Sequence, residues 1–392
     1  ISLLNSFFKN YLKQYKTINI SIYNIITMYN RLAIQFMLEN YNHKNNGISN
    51  FAVNYDKVKE LLKDAPYFIK CSTTASSPYY VLKSTENKSD LNLPIVQECQ
   101  GLILEKNTNK IIAHGLNRIG TDISEIKEDQ IIAVNEMIDG PRIFVWWNIY
   151  LNDWSISTGG STDANNINTI CIDPSNPKYI IKKTFLELFM DTNPNFSNLD
   201  KSYTYTYILE HPFITHDPST QIAAHLIFIR NNKTHSPDIY HIQNTSIHNN
   251  FSNKGELYEY VTSPQYNKKG VIITVHNKLG IHTQYFQYKI LNPNYEQKQL
   301  IKGNTQNITY YLINCIKNNE TDSLLEFYPV YNKTIQTINN CIVEISKRIY
   351  WQYINKHVFK KDVKFTPEYY PTIRQLAGTY IQTKETITKK YV

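Results

Sequence analysis

The pattern of apolar and polar positions changes character twice along the chain. Near the N-terminus, Leu3, Leu4, Phe7, Phe8, Tyr11, Leu12 and Tyr15 recur at helical intervals. Ile22, Ile25, Ile26, Tyr29, Leu32, Ala33, Phe36 and Met37 do so again. Each series lines one face, which predicts two amphipathic helices that need a surface to pack on, either the body of the protein or a partner. The polar run Asn42-His43-Lys44-Asn45-Asn46-Gly47 then breaks the period and predicts a linker.

From residue 51 to about 300 the period shortens. Ile143-Phe144-Val145-Trp146-Trp147 and Trp154-Ser155-Ile156-Ser157-Thr158 flank Asn152-Asp153, a hairpin pattern. Tyr203–Leu209 alternates as a strand, and Leu226–Ile229 and Val271–Val275 read as buried strands. Helical pieces are expected at 56–63 and 181–190. Past 303 the helical period returns, with Ile335, Ile338, Ile342, Ile345, Ile349 and Tyr353 in one stripe. The expected organisation is α+β: an N-terminal helical extension over 1–50, a β-rich body over 51–302 and a helical domain over 303–392. No internal repeat is present.

Composition narrows the class. With 392 residues, 42% hydrophobic and 19% charged, the chain has a globular balance and enough length for two or three domains. The abundance of Tyr, Asn, Ile, Lys and Thr fits an AT-rich genome, such as that of a large DNA virus or an organelle-bearing eukaryote. A net charge of +8 suits RNA, DNA or an acidic surface without singling one out. The five cysteines (Cys71, Cys99, Cys171, Cys315 and Cys341) are odd in number and form no Cys-x-x-Cys. That argues against a disulfide framework or zinc site and predicts a reducing intracellular compartment, cytoplasm or virion. Before Glu39 the chain carries only basic charges, Lys9, Lys13, Lys16 and Arg31. An added helical module is the preferred reading, with a mitochondrial transit segment as the alternative. No run approaches the ~18 apolar residues of a membrane span.

Five short segments carry the candidate chemistry. They are Glu98-Cys99-Gln100-Gly101-Leu102-Ile103-Leu104-Glu105, Asn135-Glu136-Met137-Ile138-Asp139-Gly140, Tyr207-Ile208-Leu209-Glu210-His211-Pro212, Lys268-Lys269-Gly270-Val271-Ile272-Ile273, and Gln287-Tyr288-Lys289 running on to Tyr295. Their order and spacing resemble the ATP-dependent RNA ligases of the covalent nucleotidyltransferase superfamily, phage and large-virus type, across roughly residues 51–390. The resemblance implies an ATP-grasp-like ligase body of antiparallel sheets flanked by helices. It also implies a lysyl-AMP mechanism with ATP and Mg²⁺, in which AMP passes to an RNA 5′-phosphate and a 3′-hydroxyl displaces it.

The residues depart from that pattern at one chemical position after another. Met137 stands at the nucleophile position, and a thioether cannot form a phosphoramidate. Gln100 replaces a phosphate-facing arginine, Lys269 the acidic residue before Gly270, and Gln287 the first basic residue of the last segment. Pro141 follows Asp139-Gly140 where Ser or Thr is usual, while Asp139, Gly140, Glu210 and Lys289 persist. Lys269 is expected to stand in for the divalent cation by pairing with Asp139 or Glu210, because a buried ammonium requires such a partner. A second role for Lys269, as a substitute nucleophile, would need its amine within about 3 Å of the α-phosphorus.

The expected function is therefore a catalytically inactive, ligase-like binding or structural subunit of a larger assembly. It would use no cofactor or metal and would meet protein partners through residues 1–38. An active RNA ligase using ATP and Mg²⁺ and a non-catalytic nucleotide sensor are the alternatives. For RNA, the candidates are Lys347, Arg348, Lys356, Lys360 and Lys361, with Lys364 beside them. His211, His216 and His225 read as surface or satisfied core residues. Trp146, Trp147 and Trp154 read as strand packing, with a place lining an adenine pocket as the alternative.

Overall fold

A computed structural model describes residues 32–45, 54–124, 126–172, 180–212, 214–215, 221–235, 237–238, 251, 253–279, 282–302 and 308–389. They form a mixed α and β protein of antiparallel sheets and helices. The chain divides into two compact units: Ile1–Thr169 with Lys182–Gln297, and Ile170–Ile181 with Lys298–Val392.

The first unit holds three larger sheets. One runs β1 (Ile69–Ser72), β2 (Tyr79–Ser84), β3 (Gln100–Glu105), β4 (Ile111–Ala113). The second runs β12 (Pro237–Asp238), β11 (Ala223–Asn231), β10 (Tyr203–Glu210), β6 (Arg142–Asn148), β7 (Asp153–Thr158). The third runs β14 (His282–Leu291), β13 (Gly270–Leu279), β5 (Ile131–Glu136). Strands β8 (Asn168–Ile172) and β9 (Ile180–Thr184) make a separate two-stranded sheet. The hairpin predicted around Asn152-Asp153 forms, with Trp147 opposite Trp154.

Alternation along the strands stacks these layers. On β2, Tyr80 and Leu82 face a core shared with Val58 and Leu62 of α2 (Tyr55–Leu62) and Ile95 and Val96 of α3 (Pro94–Glu98). Tyr79 and Val81 face the opposite way, onto Phe144 and Trp146 of β6. Ile143 and Val145 of β6 turn to a third core with Leu188 and Phe189 of α4 (Phe185–Met190). The order is therefore helix, sheet, sheet, helix, and the period of two is the device that builds it. The third sheet buries Val271, Ile273 and Val275 against Leu257 and Val261 of α5 (Lys254–Thr262). Each fully buried apolar side chain of this kind contributes about 1.5–3 kcal/mol.

Two local expectations need correction. Helix α1 (Ala33–Asn45) runs through the polar run as far as Asn45, so residues 42–45 are not a linker; the part of the predicted stripe before Leu32 lies outside the described residues. Its start is fixed by tertiary contacts: Leu32, Ile34 and Leu38 are buried in the same core as β2. That part of the predicted partner surface is folded onto the body, whereas residues 1–31 lie outside the described residues. The helix expected over 181–190 begins only at Phe185, because Thr184 accepts from the Glu187 N–H while the Glu187 side chain accepts from the Thr184 N–H. The β-branched residues before it continue β9.

The second unit is helical: the end of α6 (Pro293–Lys302), then α7 (Ile308–Asn318), α8 (Thr321–Phe327), α9 (Asn332–Tyr353) and α10 (Tyr370–Thr383). It has two small cores. One gathers Ile308, Leu312, Cys315, Leu324, Tyr328 and Ile335; the other gathers Ile349, Tyr353, Ile373, Leu376 and Ile387. The stripe predicted along α9 is thus buried at its ends, while Ile342 and Ile345 in its middle are exposed. Among the described residues, no helix is long and apolar enough to cross a membrane. Cys71, Cys99, Cys315 and Cys341 are free thiols.

Candidate functional site

Strand register brings four of the five segments side by side. In the third sheet Val271 lies opposite Glu136, and Ile272 lies opposite Asn135 on one side and Lys289 on the other. The Met137 N–H donates to the Gly270 carbonyl at 2.8 Å, so the nucleophile position is tied to the start of β13. Past it, the Leu209 N–H donates to the Pro141 carbonyl at 3.0 Å, and Arg142 lies opposite Ile208. The Lys289 N–H donates to the Gly120 carbonyl at 2.8 Å, attaching β14 to the loop after β4.

Two glycines make these approaches possible. Gly140 has φ +152°, and a Cβ there would stand 2.1 Å from the Leu209 carbonyl oxygen. Gly270 has φ +154°, and its Cβ would stand 2.2 Å from the Ile290 carbonyl oxygen. No side chain fits either place. Among the described residues the only other glycine with a left-handed φ is Gly101. All three belong to the segments singled out in the sequence.

The side chains form a compact ionic site. Lys269 Nζ donates to Asp139 Oδ1 at 2.8 Å, and both side chains are largely buried, 19% and 12% exposed. The pairing expected with Asp139 or Glu210 is made with Asp139. An ammonium at this place repels a second cation and occupies the carboxylate, so the residues present do not fit a divalent metal beside Asp139. The same hydrogen bond engages the Lys269 nitrogen that would otherwise be the substitute nucleophile. Glu210 instead accepts from or pairs with His225 Nε2 at 2.7 Å.

Gln100 donates to Ser84 Oγ at 2.5 Å and to the Val96 carbonyl at 3.3 Å. A cation that the sequence reading did not single out stands beside this position. Arg142, the first residue of β6, brings its Nη2 to 3.5 Å from Gln100 Oε1 and its Nη1 to 3.5 Å from the Leu116 carbonyl. Burial pushes the Arg142 pKa down, the neighbouring Arg118 charge adds to the shift, and Glu86 opposes it. Arg118 itself reaches Glu86 at 3.4 Å. Burial also lowers the Lys289 pKa; Arg118 and Lys269 act in the same sense, against Glu86 and Glu296. Gln287 turns its amide to Thr274 Oγ1 at 3.3 Å, and its buried Oε1 has no hydrogen-bond partner among the described residues.

The charge of Arg118 is thus felt at both Arg142 and Lys289, and that of Lys269 at Lys289, which joins four cations in one series. Arg118, Arg142, Glu86 and Glu296 were missed in the sequence because they lie outside the five segments. The one available signal was Arg142, a charge opening the otherwise apolar run Ile143–Trp147. A charge entering a buried strand needs a polar destination.

Other candidates fall elsewhere. His211 is buried with its Nε2 3.4 Å from Asp191; His216 lies outside the described residues. Trp146 is a core residue that donates to Ser157 Oγ, and Trp147 and Trp154 meet edge to face at 5.4 Å. Lys347, Arg348, Lys356, Lys360 and Lys361 belong to the second unit, where Lys347 pairs with Glu344 and Lys356 with Asp362. Among the described residues, no three His, Cys, Asp or Glu side chains are grouped to hold a metal ion. No protein-family model matches the chain, and no curated protein matches it either.

Proposed function

We propose that the chain carries a nucleotidyltransferase fold of the RNA ligase type that no longer performs ligation, and that it serves as an RNA-binding subunit of a larger assembly. The observation that carries this reading is the Lys269–Asp139 ion pair next to the Met137 position. Nucleotidyl transfer needs an amine to attack the α-phosphorus and a cation to neutralise the phosphates. Met137 supplies no amine, and the ammonium of Lys269 takes the carboxylate that would help hold the metal. The glycines with left-handed φ, at 101, 140 and 270, all fall within the segments that carry the resemblance, which supports this reading. Arg142, Arg118 and Lys289 keep positive charge near these segments, which suits holding a phosphate without transferring it.

One observation favours a second reading, an active ligase with a displaced nucleophile. The half-buried Lys289 ammonium has a lowered pKa, as an attacking lysine requires. Incubation with ATP labelled at the α-phosphate and Mg²⁺, followed by denaturing electrophoresis, separates the two. The expected result is no covalent label, and none on Met137→Lys. A labelled band that disappears in Lys289→Arg overturns the non-catalytic reading.

A further inference from the structure

The end of α9 and the loop after it form a rigid, basic projection on the second unit. Between Ile345 and Pro367 the chain has six Lys and Arg side chains (Lys347, Arg348, Lys356, Lys360, Lys361 and Lys364) and one acid, Asp362. The helix does not stop cleanly. Ile354–Val358 widens into a π-turn, closed by the Phe359 N–H donating to the Ile354 carbonyl at 2.9 Å. Such turns recur at functional positions. The next residue, Lys360, has φ +54°, a left-handed backbone that costs a lysine more than a glycine.

Buried contacts hold this conformation. The Lys361 N–H donates to the Asn355 carbonyl at 2.9 Å, and the Asn355 side chain donates to the Trp351 carbonyl at 2.9 Å. Buried Gln352 grips Thr366 twice, accepting its N–H at 3.1 Å and donating to its Oγ1 at 2.8 Å. Beneath, Tyr353, His357 and Phe365 stack face to face at 5.4 and 6.4 Å, and Tyr370 packs on Phe365. The loop thus closes on its own small core and leaves Phe359 61% exposed, with Lys361 Nζ 5.6 Å from its ring centre. Nothing in the packing explains why a phenylalanine should face water beside two lysines.

We infer that this projection binds a single-stranded polynucleotide, with Phe359 stacking on a base and Lys360 and Lys361 contacting the flanking phosphates. The chemistry is that of sequence-tolerant strand binding: an exposed π-face accepts any base, and ammonium groups beside it track the backbone. A loop fixed beforehand spares the ordering cost of binding. A duplex hides its base faces, so the preference is for unpaired strands. The inference rests on the RNA-binding reading above and specifies where and how the strand is held.

The test measures affinity of the whole chain for a short labelled single-stranded RNA, its DNA equivalent and an RNA duplex, between about 50 and 200 mM salt. Phe359→Ala should weaken single-strand binding about fivefold or more, Phe359→Leu should do the same, and Phe359→Trp should restore it. The pair Lys360→Gln and Lys361→Gln should flatten the slope of log affinity against log salt by about 1.4. All three positions face solvent, and unchanged thermal melting confirms folding. If the chain binds RNA but these variants bind as the original does, the inference is overturned while the proposed function stands. Equal binding of duplex, or retention of affinity by Phe359→Leu, also overturns it, because either removes the stacking. A chain that binds no polynucleotide at all overturns the RNA-binding reading too, independently of the ATP label.

Discussion

The carboxylate of Glu98 accepts the backbone N–H of Ala33 at 2.9 Å and so caps α1 from a residue 65 positions away. The Ile34 N–H joins it at 3.2 Å. A helix start has N–H groups with no partner inside the helix, and a buried start needs one from elsewhere. Glu98→Ala would leave two donors buried without acceptors, at a cost on the order of 3 kcal/mol. Urea unfolding would register it, and protease cleavage within α1 should accelerate as the helix loosens.

The same carboxylate makes stability depend on pH. Burial raises the Glu98 pKa to about 7, against the N–H groups of Ala33 and Ile34 and the charge of Arg230, which pull it down. The folded state therefore binds the proton more tightly than the unfolded chain. This contribution is fully present below about pH 4.5 and is lost as pH rises through about 7. The decline is on the order of 3 kcal/mol at most. Denaturation curves of Glu98→Gln should show that part of the pH dependence removed; an unchanged profile would exclude Glu98 as its source.

Breaking the central ion pair should be costly. Lys269→Met leaves the Asp139 carboxylate without its 2.8 Å donor in a largely buried place. The expected loss is roughly 3 kcal/mol, and Asp139→Leu combined with Lys269→Met should recover much of it. A double-mutant cycle that finds no coupling would show that the two charges act separately.

Arg142 should matter for ligands more than its place outside the segments suggests. If the pocket holds phosphates without metal, pyrophosphate should raise the melting temperature equally with Mg²⁺ and with a chelator. Arg142→Met and Lys289→Met should each shrink that rise. A rise that appears only with Mg²⁺ would contradict the charge arrangement around Asp139.

Gly140→Ala and Gly270→Ala test the backbone directly. Each adds a Cβ about 2 Å from a carbonyl oxygen at a φ that alanine avoids. A destabilisation on the order of 4 kcal/mol is expected from either, enough to lose soluble protein. Gly378→Ala, where a Cβ meets nothing within 4 Å, is the control and should stabilise α10 slightly.

The strands that were legible carry a local signal: Tyr203–Leu209 reads as one from its residues alone, and it forms β10. The hairpin at Asn152 was legible for the same reason. The reach of α1 was not, because Asn42–Asn45 look like loop residues and the helix is placed by burial of Leu32, Ile34 and Leu38. At the site, the charge reversal at Lys269 pointed to its partner, since a buried ammonium has few tolerable neighbours. Arg142 escaped notice because its relation to Gln100 spans 42 residues and exists only once β6 and β3 are folded together. The exposure of Phe359 was equally hidden, since an aromatic residue in a helical region reads as core.

A lysine bonded into the chain differs from a metal ion in one respect that affinity does not capture. Its ammonium cannot dissociate, so the charge facing Asp139 is set when the protein is made. Chelators, magnesium depletion or a change of compartment would leave that point of the pocket as it is. The partner Asp139 has in Lys269 is therefore carried by the chain itself and needs no supply from solution.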